Sequence, residues 1–179
     1  MPASANLPSV IVVMGVSGAG KTAVGRQLAK RLGWEFIEGD RFHPPANVAK
    51  MKSGQPLDDA DRAPWLHAIA QAIDDCRGRG GHAVLACSAL KKSYRNVIVG
   101  NRPDVRLVYL EGSHARIAER LERRRGHFMP ASLLDSQFAT LEPPAAGERA
   151  IAVSVEPPVA AIVEQILAAL RTDPAPGRR

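Results

Sequence analysis

Residues 10–22 read Val10-Ile11-Val12-Val13-Met14-Gly15-Val16-Ser17-Gly18-Ala19-Gly20-Lys21-Thr22, an apolar run followed by a glycine-rich loop. The loop has the G-x-x-x-x-G-K-[ST] spacing of a phosphate-binding loop, and the apolar run predicts the buried strand that precedes that motif. Glycines let successive backbone N–H groups turn towards phosphate oxygens, which a Cβ would obstruct. A plain glycine-rich turn is the alternative, but it does not explain why a lysine and a threonine occupy the last two positions of the motif. We therefore predict that residues 15–22 bind a nucleoside triphosphate, with Lys21 on the outer phosphates and Thr22 on Mg²⁺.

Length and composition favour one α/β domain. At 179 residues the chain is long enough for one hydrophobic core and short for two domains. No stretch approaches the ~20 apolar residues that cross a bilayer, and residues 1–8 lack the pattern of a secretory signal. Cys76 and Cys87 lie in apolar contexts, which predicts buried free thiols. We expect a cytoplasmic protein without a membrane partner.

The formal net charge of +6 leaves two classes of anionic partner open. Nucleic acid is one, but aromatic residues make up only 4% of the chain and no RNA-binding signature is present. An enzyme that holds ATP beside a second anionic substrate needs the same positive potential in its cleft. The sequence favours the small anion and no nucleic-acid partner.

Strand and helix patterns alternate along most of the chain. Apolar runs predict strands at residues 10–14, 35–38, 83–87, 105–110 and 151–155, and helical patterns lie at residues 21–32, 46–51, 60–79, 90–99, from 113 onward, 130–141 and 159–170. This alternation predicts a parallel sheet covered on both faces, with ligands at the carboxyl ends of the strands. We expect a single domain over residues 9–171, with flexible tails at 1–8 and 172–179.

A candidate acceptor site follows the second predicted strand, in Gly39-Asp40-Arg41-Phe42-His43-Pro44. The Asp40 carboxylate could orient an acceptor hydroxyl, accept its proton or hold a metal-bound water, and a turn aspartate is the alternative. His43 could join it or could satisfy a loop carbonyl. We take Asp40 as a candidate catalytic and substrate-binding residue and His43 as a candidate substrate-binding residue.

The third predicted strand ends in Ala86-Cys87-Ser88, without the aspartate that completes many phosphate-loop sites by holding Mg²⁺ through water. We therefore expect Mg²⁺ to be held by Thr22, the phosphates and water. Asp40 is the only nearby carboxylate that we can propose from the sequence.

Cations follow the third strand in Ser88-Ala89-Leu90-Lys91-Lys92-Ser93-Tyr94-Arg95. Lys91 or Arg95 could pair with a carboxylate of the acceptor, since guanidinium groups pair bidentately with carboxylates. A solvated helix start is the alternative for the lysine. Arg62 could point the same way or could pair with its acidic neighbours.

A second basic group contains Arg120 and Arg124, which share a helical face at four-residue spacing. On a mobile flap, two guanidiniums could cover the nucleotide and stabilise charge on the transferring phosphoryl group. Cations near a helix C-terminus are favourable in any case, so surface charge is the alternative for Arg123 and Arg125.

Several blocks between residues 10 and 167 resemble the gluconokinase family of small phosphate-loop kinases. They are residues 14–22, Gly39-Asp40 with His43-Pro44, Asn47 and Lys50-Met51, Gly54-x-Pro56-Leu57-x-Asp59-x-Asp61-Arg62-x-Pro64-Trp65-Leu66, Cys87-Ser88-Ala89-Leu90-Lys91-Lys92-x-Tyr94-Arg95, and Gly126-His127-Phe128 followed by Gln137-Phe138-x-x-Leu141-Glu142. The phosphate loop is widespread, but the third and fourth blocks are specific.

The resemblance implies phosphorylation of D-gluconate by ATP at the 6-hydroxyl, giving 6-phosphogluconate and ADP, with Mg²⁺ and a homodimer. It also implies a P-loop NTPase fold of the nucleoside-monophosphate-kinase type, with strand order 2-3-1-4-5 and a mobile lid at about residues 120–140. By position, it implies that Lys21 and Thr22 bind phosphates and Mg²⁺ and that Asp40 binds the acceptor hydroxyl. It implies that Arg120 and Arg124 bind adenine and phosphates, with an adenine pocket near Pro157. It also implies a substrate site among His43, Arg62, Lys91, Arg95 and His127.

Two rival interpretations remain open on the sequence. A shikimate or nucleotide kinase would share the phosphate loop but has no reason to repeat the third and fourth blocks. A nucleotide-dependent switch or RNA-associated protein would bind ATP with slow turnover that sugar acids leave unchanged, and its retention on polyanions would fall steeply with salt.

Overall fold

In residues 7–124 and 131–173, which the computed structural model describes, five parallel strands form one sheet. They are β1 Val10–Met14, β2 Glu35–Glu38, β3 Ala83–Ala86, β4 Val105–Glu111 and β5 Ile151–Ser154. The order across the sheet is β2-β3-β1-β4-β5, so the predicted fold class and strand order are confirmed. Parallel pairing aligns the strand ends, and the residues after β1, β2 and β3 therefore meet at one edge.

Helices cover both faces of this sheet. They are α1 Lys21–Leu32, α2 Pro45–Lys52, α3 Asp59–Gly78, α4 Lys92–Ile98, α5 His114–Arg123, α6 Ala131–Thr140 and α7 Val159–Thr172, with 3₁₀ turns at Gly39–Phe42 and Ala146–Glu148. Ser113 caps α5, because its hydroxyl accepts a hydrogen bond from the N–H of Arg116. Arg124 follows the last helical residue of α5 and has an extended backbone.

Strand β1 is the centre of the hydrophobic core. Every residue of β1 is buried, which explains why its sequence is continuously apolar rather than alternating. Ile11 and Val13 pack on the face covered by α1 and α7, and Val10 and Val12 pack on the face covered by α3 and α4. Burial on both sides fixes the point where β1 ends and the phosphate loop begins.

Helix α3 packs an apolar face against the sheet. Asp58 and Asp61 form a capping box at its start, and Trp65, Ile69 and Ile73 are buried against the sheet. The predicted burial of both cysteines is confirmed. Burial raises the pKa of the Cys87 thiol to about 12.

Helix α7 extends into the segment that the sequence assigns to the C-terminal tail. Thr172 is the last residue of α7, and the Asp173 carboxylate accepts hydrogen bonds from Arg106 and Arg149, each at 2.7 Å. Thr172 and Asp173 therefore do not belong to a flexible tail. The remainder of both predicted tails, residues 1–6 and 174–179, lies outside the described residues.

A buried ion pair joins α4 to the turn before β5. Arg95 is only 2% exposed, and its Nε donates to Glu148 Oε1 at 2.6 Å while its Nη1 donates to the carbonyl of Ala89 at 2.9 Å. Burial alone raises the pKa of Glu148, but hydrogen bonds from Arg95 and from the N–H of Ala145, together with the nearby positive charges, outweigh it and the net pKa is lowered. The pair therefore contributes to stability as a charged pair.

We expect Glu148→Ala to lower the free energy of unfolding by about 3 kcal/mol, because it leaves a buried guanidinium without its counter-ion. A lowered pKa means that this contribution is present above the ordinary glutamate pKa and is lost as pH falls through the lowered value. Urea denaturation of both proteins at neutral and acidic pH measures this. The control is Glu164→Ala, which removes an exposed partner of Arg31 and should cost less than about 1 kcal/mol. Equal losses for the two variants would contradict the assignment.

Candidate active site

The phosphate loop connects β1 to α1 with the geometry that its motif requires. Gly18 and Gly20 have φ of 85° and 97°, in the left-handed region that favours glycine. A Cβ on Gly18 would lie 2.9 Å from Cγ of Leu121 in α5, so this position also requires a glycine for space. The Lys21 ammonium donates to the carbonyls of Gly15 and Val16, at 2.9 and 3.0 Å.

The surroundings of the Lys21 ammonium favour binding of an anion. Burial lowers the pKa of its ammonium, and the carboxylates of Asp40 and Glu38 partly oppose this effect. A cation that has already lost much of its hydration interacts strongly with a phosphate oxygen. Lys21 is therefore well placed to bind the outer phosphates.

A carboxylate that we did not single out in the sequence lies beside Thr22. Glu38, the last residue of β2, accepts a hydrogen bond from the Thr22 hydroxyl at 2.7 Å. The expectation that Asp40 is the only nearby carboxylate is therefore wrong. Hydroxyl and carboxylate oxygens are the hard ligands that Mg²⁺ prefers, and Mg²⁺ keeps several waters when it binds with phosphates. Thr22 and Glu38 fit such an ion.

The position of Asp40 is fixed by a contact between its neighbour Gly39 and helix α3. The indole Nε1 of Trp65 donates to the carbonyl of Gly39 at 2.9 Å, which holds the 3₁₀ turn that carries Asp40. Gly39 itself passes close to β3, since a Cβ there would lie 2.4 Å from the carbonyl oxygen of Ala86. The turn thus places Asp40 at the sheet edge where β1 also ends.

His43 stacks on the same tryptophan. The two rings are 4.2 Å apart between centroids, with an interplanar angle of 13°. The amide Nδ2 of Asn47 lies 3.2 Å from Nδ1 of His43 and can only donate, so Nδ1 is the acceptor. Burial lowers the pKa of His43, Asp40 opposes this, and Arg62 adds to the lowering. The ring is therefore neutral at pH 7, with its proton on Nε2.

A cavity of about 560 Å³ brings these groups together. It lies between the phosphate loop, the turn after β2, the start of α3 and helix α6. Of the predicted site residues, it is lined by Ser17, Gly18, Gly20, Lys21, Thr22, Asp40, His43, Arg62 and Arg124. The cavity is large enough for a phosphate group and a small acceptor side by side.

Arg62 is the cation that reaches the cavity from α3. Its Nη1 donates to the carbonyl of Leu57 at 2.5 Å and to the hydroxyl of Tyr94 at 3.2 Å. These contacts orient the guanidinium through one nitrogen only. Its acidic neighbours are paired elsewhere, because Asp61 binds Lys50 and Asp59 binds Lys91.

Two predicted substrate residues lie elsewhere. The prediction for Arg95 is wrong, since its guanidinium is buried against Glu148 and the carbonyls of Ala89 and Leu90. Lys91 does not line the cavity, because its ammonium is held at 3.0 Å by Asp59 on the exposed start of α3.

Arg120 bridges the phosphate loop and the end of β5. Its guanidinium donates to the carbonyls of Ala19 and Val155, at 3.4 and 2.6 Å, and it does not line the cavity. Pro157, just beyond β5, is likewise absent from the lining. Arg124 lines the cavity although it follows the helix, so the predicted shared helical face does not extend to it. His127 lies outside the described residues.

Comparison with known proteins places the chain in a family. A family model described as an AAA domain matches residues 10–144. A gluconokinase of Gluconobacter oxydans is 52% identical over 160 residues, which are 89% of this chain and 90% of that protein. The chain belongs to the gluconokinase family. The resemblance drawn from the sequence blocks is thereby confirmed.

Solved structures agree with this assignment. A gluconokinase from Sinorhizobium meliloti has a TM-score of 0.85 and 46% identity, and the match covers 93% of this chain and 94% of that one. A shikimate kinase from Aquifex aeolicus matches with a TM-score of 0.61 at 15% identity, over 90% of this chain and 96% of that one. The second likeness shows a shared fold alone, so the gluconokinase family is favoured over the shikimate-kinase alternative. In the described part of the chain, no helix has the length and apolar character to cross a membrane.

We expect Gly39→Ala to lower the free energy of unfolding by about 2 kcal/mol, because the new Cβ meets backbone that cannot yield. The matched control is Gly78→Ala, at the end of α3, where a Cβ meets nothing within 4 Å and stability should change by less than about 0.5 kcal/mol. Urea denaturation measures both. A Gly39→Ala protein as stable as the control would contradict the tight packing of the turn on β3.

Proposed function

We propose that this chain transfers the γ-phosphoryl group of ATP to the 6-hydroxyl of D-gluconate, giving 6-phosphogluconate and ADP. Membership of the gluconokinase family supports the substrates, and the cavity that joins Lys21 to Asp40 supports the reaction. The proposal includes one kinase domain over residues 9–171 with a lid at about 120–140, a cytoplasmic homodimer, and no nucleic-acid or membrane partner.

The donor phosphates bind at the phosphate loop. Its N–H groups and the N-terminus of α1 face the anion, and Lys21 neutralises the outer phosphates. Thr22 and Glu38 would hold Mg²⁺ through their hydroxyl and carboxylate oxygens. When bound, the ion neutralises charge on the phosphates. Phosphoryl transfer depends mainly on such charge compensation and on alignment of the reacting oxygens.

The acceptor enters from the α3 side of the cavity. Asp40 accepts a hydrogen bond from the 6-hydroxyl and takes its proton as the oxygen attacks the phosphoryl group. The neutral His43 donates from Nε2 to another hydroxyl of the sugar acid. Since Trp65 fixes both the Asp40 turn and the His43 ring, the two groups keep a constant spacing.

Two arginines serve the nucleotide. Arg124 lines the cavity and stabilises charge on the transferring phosphoryl group, whereas Arg120 joins the loop to the segment near Pro157, where the adenine binds. His127 remains a candidate substrate residue by resemblance.

Arg62 binds the carboxylate of gluconate in this proposal. It is the cation on the acceptor side of the cavity, and Leu57 and Tyr94 orient it through Nη1. Its remaining nitrogens can pair with a carboxylate bidentately. Among the described candidates, Arg95 and Lys91 are held by Glu148 and Asp59 instead.

The experiment that tests the function is a coupled ADP-release assay with Mg-ATP against gluconate, related aldonic acids, shikimate and nucleoside monophosphates. We expect a gluconate-dependent rate well above that of any other acceptor. Stimulation by shikimate or a nucleotide alone would identify a different kinase. ATP binding without stimulation by any acceptor would indicate the switch protein.

Asp40→Asn should reduce the gluconate-dependent rate by about 100-fold or more, because the amide cannot accept the hydroxyl proton. The ATP affinity, measured by titration, should change by less than about threefold. The matched control is Asp75→Asn, whose carboxylate accepts a hydrogen bond from Gln71 on the exposed side of α3 and should leave the rate unchanged. A near-normal rate for Asp40→Asn would remove Asp40 from its role.

Arg62→Gln should raise the KM for gluconate by about 10- to 100-fold, because it removes a charge-assisted pair with the carboxylate. The KM for ATP should remain close to normal. Arg79→Gln is the control, since Arg79 pairs with Glu35 on the exposed surface. If both KM values rise together for Arg62→Gln, the residue acts on the fold of the cavity and not on the acceptor.

A further inference from the structure

The side chain of Gln137 in helix α6 makes a polar contact with the phosphate loop. The backbone N–H of Ser17 donates to Oε1 of Gln137 at 2.7 Å, and Nε2 of Gln137 donates to the Ser17 hydroxyl at 3.0 Å. Both polar atoms of the carboxamide therefore bind one residue of the loop, although the two residues are 120 positions apart in the chain.

The contact fixes which way the carboxamide points. A backbone N–H can only donate, so the atom that faces it must be the amide oxygen, and the NH₂ group lies on the side of the Ser17 hydroxyl. One hydrogen of Nε2 is used there. Among the described residues, the second hydrogen has no acceptor. An oriented, neutral donor is thus left at the cavity wall.

The backbone around Gln137 is well anchored. Leu134 is buried in the core on the face that also holds Val16 and Ile117. Beyond the helix, the N–H of Glu142 donates to the carbonyl of Leu90 at 2.8 Å, and the Glu142 carboxylate accepts from the N–H of Lys92 at 2.9 Å. Helix α6 is therefore attached on one side to the phosphate loop and on the other to the loop after β3.

The position of Gln137 in the cavity defines what it can touch. Ser17, Lys21, Asp40, Arg124 and Gln137 all line the same space, which is where the donor phosphate must meet the acceptor hydroxyl. A neutral amide donor can stabilise a phosphate oxygen without adding positive charge. It also lies beside the third loop position, where the Ser17 N–H is already occupied by the glutamine oxygen.

We propose that Gln137 is a phosphate-binding catalytic residue, whose second Nε2 hydrogen donates to an oxygen of the transferred phosphoryl group. Ser17 serves as its positioning residue, because it holds the carboxamide oxygen and the other amide hydrogen. This inference rests on the proposed function of the cavity and adds a ligand for the donor phosphate.

Two substitutions at Gln137 separate phosphate binding from a purely structural role. Gln137→Glu keeps an acceptor for the Ser17 N–H, and the Ser17 hydroxyl can turn to donate to the carboxylate, so the contact with the loop survives. It replaces the free donor by a negative charge. Gln137→Leu removes the loop contact and the donor without adding charge.

We expect Gln137→Glu to be the more damaging change. Its kcat should fall by about 100-fold or more and its affinity for ATP should weaken, because an anion then faces the phosphate, whereas Gln137→Leu should lose about tenfold in kcat. If Gln137 only braces the loop, the order reverses, and Gln137→Glu stays near normal while Gln137→Leu is impaired. That reversed order would overturn the proposal.

Matched controls are Gln71→Glu and Gln71→Leu on the exposed face of α3, which should leave kcat within about twofold. Thermal midpoints of all four variants show that each is folded. ATP titration without an acceptor gives a second reading that does not depend on gluconate. If wild-type protein binds ATP but lacks a gluconate-dependent rate, the proposed function fails, while weaker ATP binding by the Glu variant than by the Leu variant still supports Gln137 as a phosphate ligand.

Discussion

The position of β1 between β3 and β4, with all three strands parallel, is the constraint on which the rest of this molecule depends. The register pairs Val13 with Ala86 on one side and with Val108 on the other, so β1 and β3 end together while β4 continues past them in the same direction. The phosphate loop, the Ser88 segment and the Glu111 segment must then leave the sheet at one edge. Pairing of β2 with β3 adds Glu38 and the Asp40 turn to that edge.

Charges of both signs line the cavity at this edge, and the positive ones outnumber the negative ones. Lys21, Arg62 and Arg124 supply positive charge, and Glu38 and Asp40 supply negative charge. In the proposed reaction each sign has a different task, since the cations would bind phosphate or carboxylate groups and the anions would bind a hydroxyl or a metal ion. Hydrogen bonds between neutral groups hold the segments that carry these residues: Trp65 binds the turn with Asp40, and Gln137 binds the phosphate loop at Ser17. Removal of either hydrogen bond therefore affects the charged residues on the segment that it holds.

Much of this arrangement could be predicted from the sequence because it depends on local pattern. The strands, the helices and the phosphate loop follow from apolar periodicity and from one motif, and the turn with Asp40 follows from its place after a strand. The sequence blocks also identify the family. Their spacing does not reveal where a long side chain points, which is why Arg95 was misplaced. Its partner Glu148 is 53 residues away, in a turn without a motif of its own.

Glu38 and Gln137 were missed as site residues for a related reason. Glu38 belongs to a short strand, where a charged residue is normally interpreted as facing solvent. Only the order of the strands in the sheet shows that it lies beside Thr22. Gln137 lies inside a block that resembles the family, yet its partner on the loop is known only once α6 is packed. A sequence signal existed for both, since each polar residue lies at or near the end of an element that faces the ligand edge.

The burial of Cys87 affects how readily its thiol reacts with oxidants. Peroxides and alkylating agents attack the thiolate, and a thiol with a pKa of about 12 is ionised in only about one molecule in 10⁵ at pH 7. Cys87 packs beside the turn that carries Asp40, since a Cβ added to Gly39 would lie 3.3 Å from the Cβ of Cys87. The fold keeps that thiol protonated and covered, and both effects protect it from oxidation.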